Sequence, residues 1–153
     1  MIAVLQRVTS ASVTIDGEMT ASVGKGFMIL LGVAKGDTET DAELLADKIA
    51  KLRVFEDENE KMNLSLTDIG GEVLVVPNFT LLASYRRGNR PDFLGGERPE
   101  EAKRLFLYFC DYIEKSVPTA RGTFGADMKV ALLNDGPVTI PMDSAVLKAP
   151  KNG

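Results

Sequence analysis

The dipeptide Gly136-Pro137 is the part of this sequence best suited to do chemistry with its backbone. It lies in Asn134–Thr139, after the apolar run Met128–Leu133 and next to the β-prone residues Val138–Ile140. Glycine adopts conformations closed to other residues, proline fixes φ and lacks an N–H, and the bond before proline is the common site of a cis peptide. Such a pair can present two carbonyl oxygens rigidly to a ligand. The alternative is a plain tight turn between two strands, because Asp-Gly and Gly-Pro are both frequent in turns.

The chain contains no histidine, which excludes several common active-site arrangements. A Ser-His-Asp triad, a Cys-His dyad and a histidine-ligated zinc site all require imidazole. The single cysteine, Cys110, lies in the apolar segment Leu105–Ile113 and is expected to be a buried hydrophobic side chain rather than a nucleophile. The carboxylates of Glu56–Glu60 have no ordered ligand spacing, so we expect neither a metal nor a cofactor. Any catalysis must use carboxylates, hydroxyls, amines, backbone groups or the substrate itself.

A second candidate site, Pro77–Leu81, follows the apolar run Glu72–Val76. Its proline cannot donate to a sheet ladder and therefore marks the end of a strand. In one interpretation, the backbone N–H groups after the proline form an oxyanion-type donor site with Thr80 close by. In the other, the segment is only a strand terminus, with Phe79 and Leu81 in the core and Thr80 facing outward.

Residues 83–97 are rich in Arg, Gly, Asn and Pro and predict a basic loop. Arginines beside aromatic rings suit a single-stranded nucleic-acid end, whose phosphates they bind and whose bases stack on the rings. A solvated loop is the alternative for such a composition. The side chains concerned are Tyr85, Arg86, Arg87, Arg90 and Phe93.

The length and composition fit one globular domain over residues 1–153, since 44% of the residues are apolar and can form a full core. A single cysteine fits a reducing compartment, no apolar run is long enough to span a bilayer, and the start of the chain lacks a signal-peptide pattern. We therefore expect a cytoplasmic protein without membrane contact. A net charge of −4 argues against broad nucleic-acid binding but allows a local basic patch.

The apolar patterns predict more strands than helices. A capping box at Thr40 and Glu43 predicts one helix ending near Val54-Phe55, and Pro99 suits the first turn of a second. We therefore expect an α/β protein, a single mixed domain with a largely antiparallel sheet or open barrel and two main covering helices. The strand candidates are Ile2–Val8, Ala11–Ile15, Phe27–Val33, Glu72–Val76, Met128–Leu133 and Val138–Pro141.

Several segments in a fixed order together carry a family resemblance. They are Gln6-Arg7-Val8, Leu52–Phe55, Lys61–Leu66, Gly71–Leu81, Gly88–Phe93, Gly122–Val130 and Asn134–Thr139. With these segments the chain resembles the D-aminoacyl-tRNA deacylase family over nearly its whole length. An ordered set of motifs is a far more specific signal than any one of them.

The resemblance implies an enzyme that hydrolyses the ester between a D-amino acid and the 3′ end of tRNA, and also glycyl-tRNA mischarged on tRNA-Ala. Such an enzyme recycles tRNA and keeps translation homochiral. The family mechanism relies on the 2′-OH of the terminal adenosine rather than on a protein base, which agrees with the missing histidine. The match makes Phe79 and Thr80 the catalytic positions, with the Phe79 N–H as a donor to the ester carbonyl.

The resemblance also implies a homodimer with active sites at the subunit interface. Its Gly136-Pro137 peptide is cis and enters the site of the other subunit, where it acts as a chirality filter. The backbone carbonyls receive the substrate's α-amino group and leave no space for an L side chain, so wrong substrates are excluded by sterics. Arg7 matches the position that helps to hold this segment, and Asn78 falls in the substrate-binding strand segment.

One segment departs from the family pattern, which reads Ser-Gln-Phe-Thr-Leu where this chain has Pro77–Leu81. Pro77 has neither a hydroxyl nor an N–H, so a hydroxyl role cannot be carried over to it, and Asn78 is shorter than glutamine. Two functional alternatives follow from the departure: a non-catalytic binder of tRNA ends, and a related deacylase with relaxed chiral preference. A third alternative is a structural dimer that binds no ligand.

Overall fold

The apolar alternation at the start of the chain forms one long strand, β1 (Ile2–Ile15), in the computed structural model, which describes residues 1–151. We predicted two strands here, and that prediction is wrong, because β1 does not reverse. Its first half pairs with β3 (Gly26–Gly32) and its second half with β2 (Glu18–Val23), both antiparallel. Along its other edge, β1 pairs antiparallel with β8 (Lys129–Asp143) over nearly its whole length.

The remaining strands make the sheet mixed. β6 (Glu72–Pro77) pairs parallel with β3 and with β7 (Thr119–Arg121), giving the order β2-β1-β3-β6-β7 with β8 on β1. A small separate hairpin joins β4 (Phe55–Glu56) to β5 (Met62–Leu64). The predicted fold class, a single mixed α/β domain with a largely antiparallel sheet, is confirmed. The expected extent of 1–153 includes two residues that lie outside the described ones.

Two long helices, α1 (Glu39–Lys51) and α3 (Pro99–Glu114), cover one face of the sheet. α3 begins at Pro99 as predicted. The predicted capping box of α1 is wrong: the Thr38 N–H donates to Asp41 Oδ2 at 2.8 Å, whereas Glu43 accepts the Tyr108 hydroxyl. α1 also ends earlier than predicted, because Phe55 already belongs to β4. Two short helices, α2 (Leu66–Ile69) and α4 (Ser144–Lys148), complete the set.

Two apolar clusters form the core, one on each face of the sheet. The cluster between sheet and helices includes Ala3 and Leu5 of β1, with Ile140 of β8 packed against it. The second cluster includes Val8, Ala11 and Val13 of β1, with Val130 and Leu132 of β8 at its edge. Both long strands therefore change from one cluster to the other along their length.

The cysteine lies in the helix-covered cluster. Cys110 is fully buried, and this burial raises the pKa of its thiol to about 12. A thiol with so high a pKa is not ionised near neutral pH, so it is a poor nucleophile. The prediction that Cys110 is a buried hydrophobic side chain is confirmed.

A buried carboxylate joins α4 to α1. Asp41 Oδ1 accepts the Ser144 hydroxyl at 2.7 Å and lies 2.8 Å from Lys148 Nζ. Burial raises the pKa of Asp41, but the hydrogen bonds from Lys148, the Thr38 N–H and Ser144 outweigh it, and the pKa falls well below its ordinary value. Within residues 1–151, no helix is both long and apolar enough to cross a bilayer.

Candidate active site

An apolar pocket of about 360 Å³ lies where β3 and β6 end. The two strands run parallel, so their carboxyl ends meet at one edge of the sheet, and the Asn78 N–H donates to the Leu31 carbonyl at 2.8 Å. Ligand pockets are typically apolar with a few well-placed polar groups. The apolar walls include Leu31, Val33, Pro77, Pro99, Phe106 and Phe124, and Asn78 and Glu97 add polar groups.

Asn78 caps a short 3₁₀ helix, Phe79–Leu82, at the rim of this pocket. Its Oδ1 accepts the Thr80 N–H at 3.2 Å and also the Thr80 hydroxyl. An asparagine suits this position because its short side chain reaches the N–H two residues on. The Thr80 hydroxyl therefore donates its hydrogen bond to Asn78, and to a ligand it offers only an acceptor oxygen.

Phe79 is 64% exposed, although one of the two interpretations placed it in the core. That interpretation is wrong for Phe79, while the strand end at Pro77 and the outward position of Thr80 are as it predicted. As the first residue of the 3₁₀ helix, Phe79 has no intrahelical acceptor for its N–H. Nor does any hydrogen bond recorded among residues 1–151 use it. The arrangement leaves a backbone donor beside the pocket.

The basic loop rises beside the same pocket. Reciprocal backbone hydrogen bonds of 2.8 and 3.0 Å between Ser84 and Asp92 close its base, so residues 85–91 project from the body. Phe93 follows directly, lines the pocket and meets the Phe79 ring edge to face, with centroids 5.1 Å apart. The structure thus places Phe93 in the pocket, and the exposed side chains of Arg86, Arg87 and Arg90 on the loop next to it.

The arginines fall into two groups. Those outside the loop region all make side-chain hydrogen bonds, namely Arg7, Arg53, Arg104 and Arg121. Four others have no side-chain hydrogen bond or ion pair anywhere in residues 1–151, namely Arg86, Arg87, Arg90 and Arg98. All four lie in the 86–98 stretch beside the pocket. Free guanidinium groups suit phosphate binding, and this stretch concentrates unpaired positive charge on an otherwise acidic protein.

Gly136 and Pro137 lie on a bulge of β8, not in a turn. Gln6 of β1 faces Thr139, and Val8 faces Asn134, so Arg7 alone stands opposite residues 135–138. The tight-turn interpretation is therefore wrong, because β8 keeps its direction and stays paired with β1 on both sides of the bulge. The glycine and proline are exposed, and the peptide bond between them is cis, as the resemblance implies.

Arg7 is buried beneath this bulge, with 5% of its surface exposed. Its Nε donates to the Asp135 carbonyl at 2.9 Å, and its Nη1 donates to the Val54 carbonyl at 2.7 Å. Arg7 therefore ties the segment that carries Gly136 and Pro137 to the residue just before β4. Such a contact is what a residue that holds the segment would make, and the role of Arg7 stays a prediction.

The bulge and the pocket lie at different ends of β3. Arg7 pairs with Phe27 near the start of β3, whereas Leu31 near its end lines the pocket. At about 3.3 Å per residue, four residues separate the two points by about 13 Å. None of residues 134–139 lines the pocket. The structure thus brings Asn78, Phe79 and Phe93 together, but it keeps Gly136 and Pro137 apart from them within one chain.

The fold and the site define an α/β protein with a nearly closed mixed sheet, helices on one face and an apolar pocket beside the free Phe79 N–H. A solved structure titled as a probable eukaryotic D-amino acid tRNA deacylase has this fold, with a TM-score of 0.78 and 15% identity over 93% of this chain and 98% of that one. The structure titled c-Myc DNA Unwinding Element Binding Protein superposes with a TM-score of 0.89 at 41% identity, covering 94% and 98%.

Sequence comparisons name the family. The profile described as D-Tyr-tRNA(Tyr) deacylase matches residues 4–143. The D-aminoacyl-tRNA deacylase of Roseiflexus castenholzii is 52% identical over 99% of this chain and 98% of the relative. The chain belongs to the D-aminoacyl-tRNA deacylase family. The resemblance is confirmed, and with it the enzyme class, a hydrolase of the aminoacyl-tRNA ester bond.

Some residues of the candidate site could not be identified from the sequence. Phe106 and Phe124 line the pocket, but as aromatic residues near apolar runs they read as ordinary core. Arg98, whose side chain makes no hydrogen bond or ion pair within residues 1–151, directly follows residue 97, the predicted end of the basic loop. The sequence gives Asn134 no role of its own within the Gly-Pro segment, because its contacts depend on the pairing of β8 with β1.

Proposed function

We propose that this protein is a D-aminoacyl-tRNA deacylase that hydrolyses the ester between a D-amino acid, or glycine mischarged on tRNA-Ala, and the 3′ end of tRNA. The observation that carries the proposal is the pocket at the end of β6, rimmed by the free Phe79 N–H and flanked by unpaired arginines. The released tRNA returns to charging, and D-amino acids are kept out of translation. This role places the protein in the cytoplasm, in keeping with its single buried cysteine.

The Phe79 N–H acts on the ester carbonyl. Water attacks the carbonyl carbon and negative charge develops on the carbonyl oxygen. The bond to the tRNA oxygen then breaks, and a proton lost by the water passes to that oxygen, which leaves as a hydroxyl. A fixed backbone donor stabilises that charge without reorganising during the reaction. The 2′-OH of the terminal adenosine assists in place of a protein base. Thr80 contributes an oxygen that accepts a hydrogen bond, because its own proton is held by Asn78.

The loop beside the pocket binds the single-stranded tRNA end. Arg86, Arg87 and Arg90 contact phosphates, and the exposed rings of Tyr85 and Phe93 offer surfaces on which bases stack. The free state of these guanidinium groups supports this role, since none is neutralised by a carboxylate within residues 1–151.

The protein acts as a homodimer with active sites at the subunit interface. Gly136 and Pro137 are exposed on the bulge. At about 3.3 Å per residue, the bulge lies about 13 Å along the sheet from the pocket of the same chain. A chirality filter made of these residues therefore has to come from a second copy. There its backbone carbonyls receive the α-amino group, and the space on the other side of Cα is closed to an L side chain.

Hydrolysis of matched D- and L-aminoacyl-tRNA by the purified protein tests the activity. We expect release of the D-amino acid only, and weaker exclusion of L-aminoacyl-tRNA by Pro137→Ala. Unchanged stereoselectivity in that variant would contradict the filter. Binding of tRNA without any hydrolysis would favour the non-catalytic binder, and equal hydrolysis of D and L substrates the deacylase with relaxed preference.

Mixed dimers test whether the sites are shared between subunits. Phe79→Pro removes the pocket donor, and Gly136→Ala disturbs the filter, since φ of Gly136 is +147° and an added Cβ would lie 2.6 Å from the Val138 nitrogen. If the filter acts in trans, a heterodimer of the two variants contains one intact site and recovers stereoselective hydrolysis. A filter that acts within one chain gives no recovery. Each variant alone serves as the control.

A further inference from the structure

The Asn134 side chain spans the base of the bulge that carries Gly136 and Pro137. Its Nδ2 donates to the Arg7 carbonyl and to the Val138 carbonyl, both at 3.0 Å. Asn134 is the last paired residue before the segment 135–138 that departs from the ladder, and Val138 is the last residue of that segment. One amide therefore joins the two ends of the bulge to each other and to β1.

The amide fills positions that the ladder leaves open. In a regular antiparallel pair, an N–H of the opposite strand would reach a carbonyl such as that of Arg7. Here residues 135–138 bow outward instead. A partly buried carbonyl without a donor is costly, and an asparagine amide carries two N–H groups that can satisfy two carbonyls at once.

The other contacts at the bulge have different directions. Arg7 holds the Asp135 carbonyl from below, and the Val54 carbonyl fixes the other end of the guanidinium. Between them, Arg7 and Asn134 fix both ends of the segment, so Gly136 and Pro137 have little freedom to shift relative to β1. A filter that works by sterics depends on such placement, since a misplacement of about 1 Å is enough to cost a large part of an active site's discrimination.

We propose that Asn134 is a positioning residue for chiral selection: its amide sets where the Gly136 and Pro137 carbonyls stand in the site that they enter. This inference rests on the proposed function, because it assumes that those carbonyls select the substrate. Asn134 does not touch the substrate itself. Its effect on the reaction is transmitted through the backbone of the bulge.

The test compares kcat and KM for D- and L-aminoacyl-tRNA in the wild type and in Asn134→Asp. Aspartate has the same shape but cannot donate when ionised, so both hydrogen bonds are lost. We expect the D-to-L ratio of kcat/KM to fall at least tenfold, with KM for the D substrate raised and kcat little changed. Gln6→Ala is the matched control, because it removes the neighbouring bond from Gln6 Nε2 to Thr139 Oγ1 (3.3 Å) and leaves the bulge contacts in place.

A purely structural role predicts a different result, namely a lower melting temperature with an unchanged D-to-L ratio, and that result overturns the inference. If Asn134→Asp does not fold, Asn134→Ser keeps one donor and should lower the ratio by a smaller factor; an unchanged ratio in this variant also overturns it. A wild type without stereoselective hydrolysis overturns the proposed function itself, and this is seen before any variant is compared. An active, selective wild type with an unaffected variant refutes the role of Asn134 alone.

Discussion

The rings of Phe79 and Phe93 meet edge to face with their centroids 5.1 Å apart, and this contact connects the 3₁₀ helix after β6 to the basic loop. One ring follows the end of a sheet strand, and the other follows the loop that carries the free arginines. An aromatic pair of this geometry stabilises the contact by about 1 kcal/mol beyond the effect of the buried area. In the proposed function, this contact would couple binding of the tRNA end to positioning of its ester.

The basic loop should account for part of the salt dependence of tRNA binding. Each phosphate contact on a single strand contributes a slope of about 0.7 in a plot of log affinity against log salt. We expect Arg90→Gln to lower the slope by about that amount. Arg104→Gln is the control, since this guanidinium is already paired with Glu39 and Glu101. Equal slopes for the wild type and Arg90→Gln would exclude a phosphate contact at Arg90.

Replacing Phe79 by two different residues separates its backbone from its ring. Phe79→Pro removes the N–H at a helix position that tolerates proline, and Asn78 is extended (φ −148°, ψ 92°) and so lies outside the helical region that proline disfavours for the residue before it. We expect kcat to fall about 10²-fold or more relative to Phe79→Ala, which keeps the donor. Single-turnover hydrolysis of D-aminoacyl-tRNA measures the difference. Similar rates in the two variants would show that the N–H is not used.

Removal of the cap formed by Asn78 should disturb the position of Thr80. Removing an N-cap side chain costs about 1 kcal/mol, so Asn78→Ala is expected to lower kcat/KM about fivefold. Asn78→Asp keeps the accepting oxygen and should retain most of the activity. Steady-state hydrolysis of D-aminoacyl-tRNA distinguishes the two. A loss in Asn78→Asp as large as that in Asn78→Ala would mean that the amide N–H₂, and not the cap, matters.

Thr80→Ala should leave measurable hydrolysis. The hydroxyl donates to Asn78 and offers only an accepting oxygen, so its loss removes a contact and not a base. A tRNA ending in 2′-deoxyadenosine should be hydrolysed far more slowly than the natural substrate by wild type and variant alike. If Thr80→Ala abolishes turnover while the deoxy substrate reacts normally, the assisting group belongs to the protein.

Asp41 should make stability depend on acid pH. Its pKa in the folded protein lies below the ordinary value of 3.8, so its stabilising contribution is complete above that value and is lost as the pH falls towards the folded pKa. We expect Asp41→Asn to reduce the free energy of unfolding by about 2 kcal/mol at pH 7, and the difference to shrink below pH 4. Urea unfolding at both pH values measures it. Glu58→Gln, at an exposed carboxylate, is the control, and a constant difference would contradict the linkage.

The sequence was most informative where structure is local. Apolar runs located β1, β3, β6 and β8, although β1 and β8 were each predicted as two strands and the shorter β2 and β7 were not predicted. Pro99 located the start of α3, and Pro77 located the end of β6. The start of α1 was misplaced because Thr40 and Glu43 have the same spacing as the residues that cap it. Spacing alone cannot tell which of two such pairs is used, since Glu43 is taken by a tyrosine 65 positions away.

Features that depend on long-range pairing could not be derived in the same way. The Gly-Pro segment has the composition of a turn, and only the pairing of β8 with β1 on both sides shows it to be a bulge. The exposure of Phe79 likewise depends on a pocket built by other elements. Composition left Gly136 and Pro137 open between a turn and a ligand contact, and only the family resemblance implied a role for them in substrate selection.

The bulge lies where both long strands, β1 and β8, pass from one core cluster to the other. Leu5 and Ile140 anchor one side in the helix-covered cluster, while Ala11 and Leu132 anchor the other side in the second. The projecting backbone thus stands on two separately packed supports. A substitution that loosens one of them is expected to leave the opposite flank in register, since the two flanks pack in different clusters.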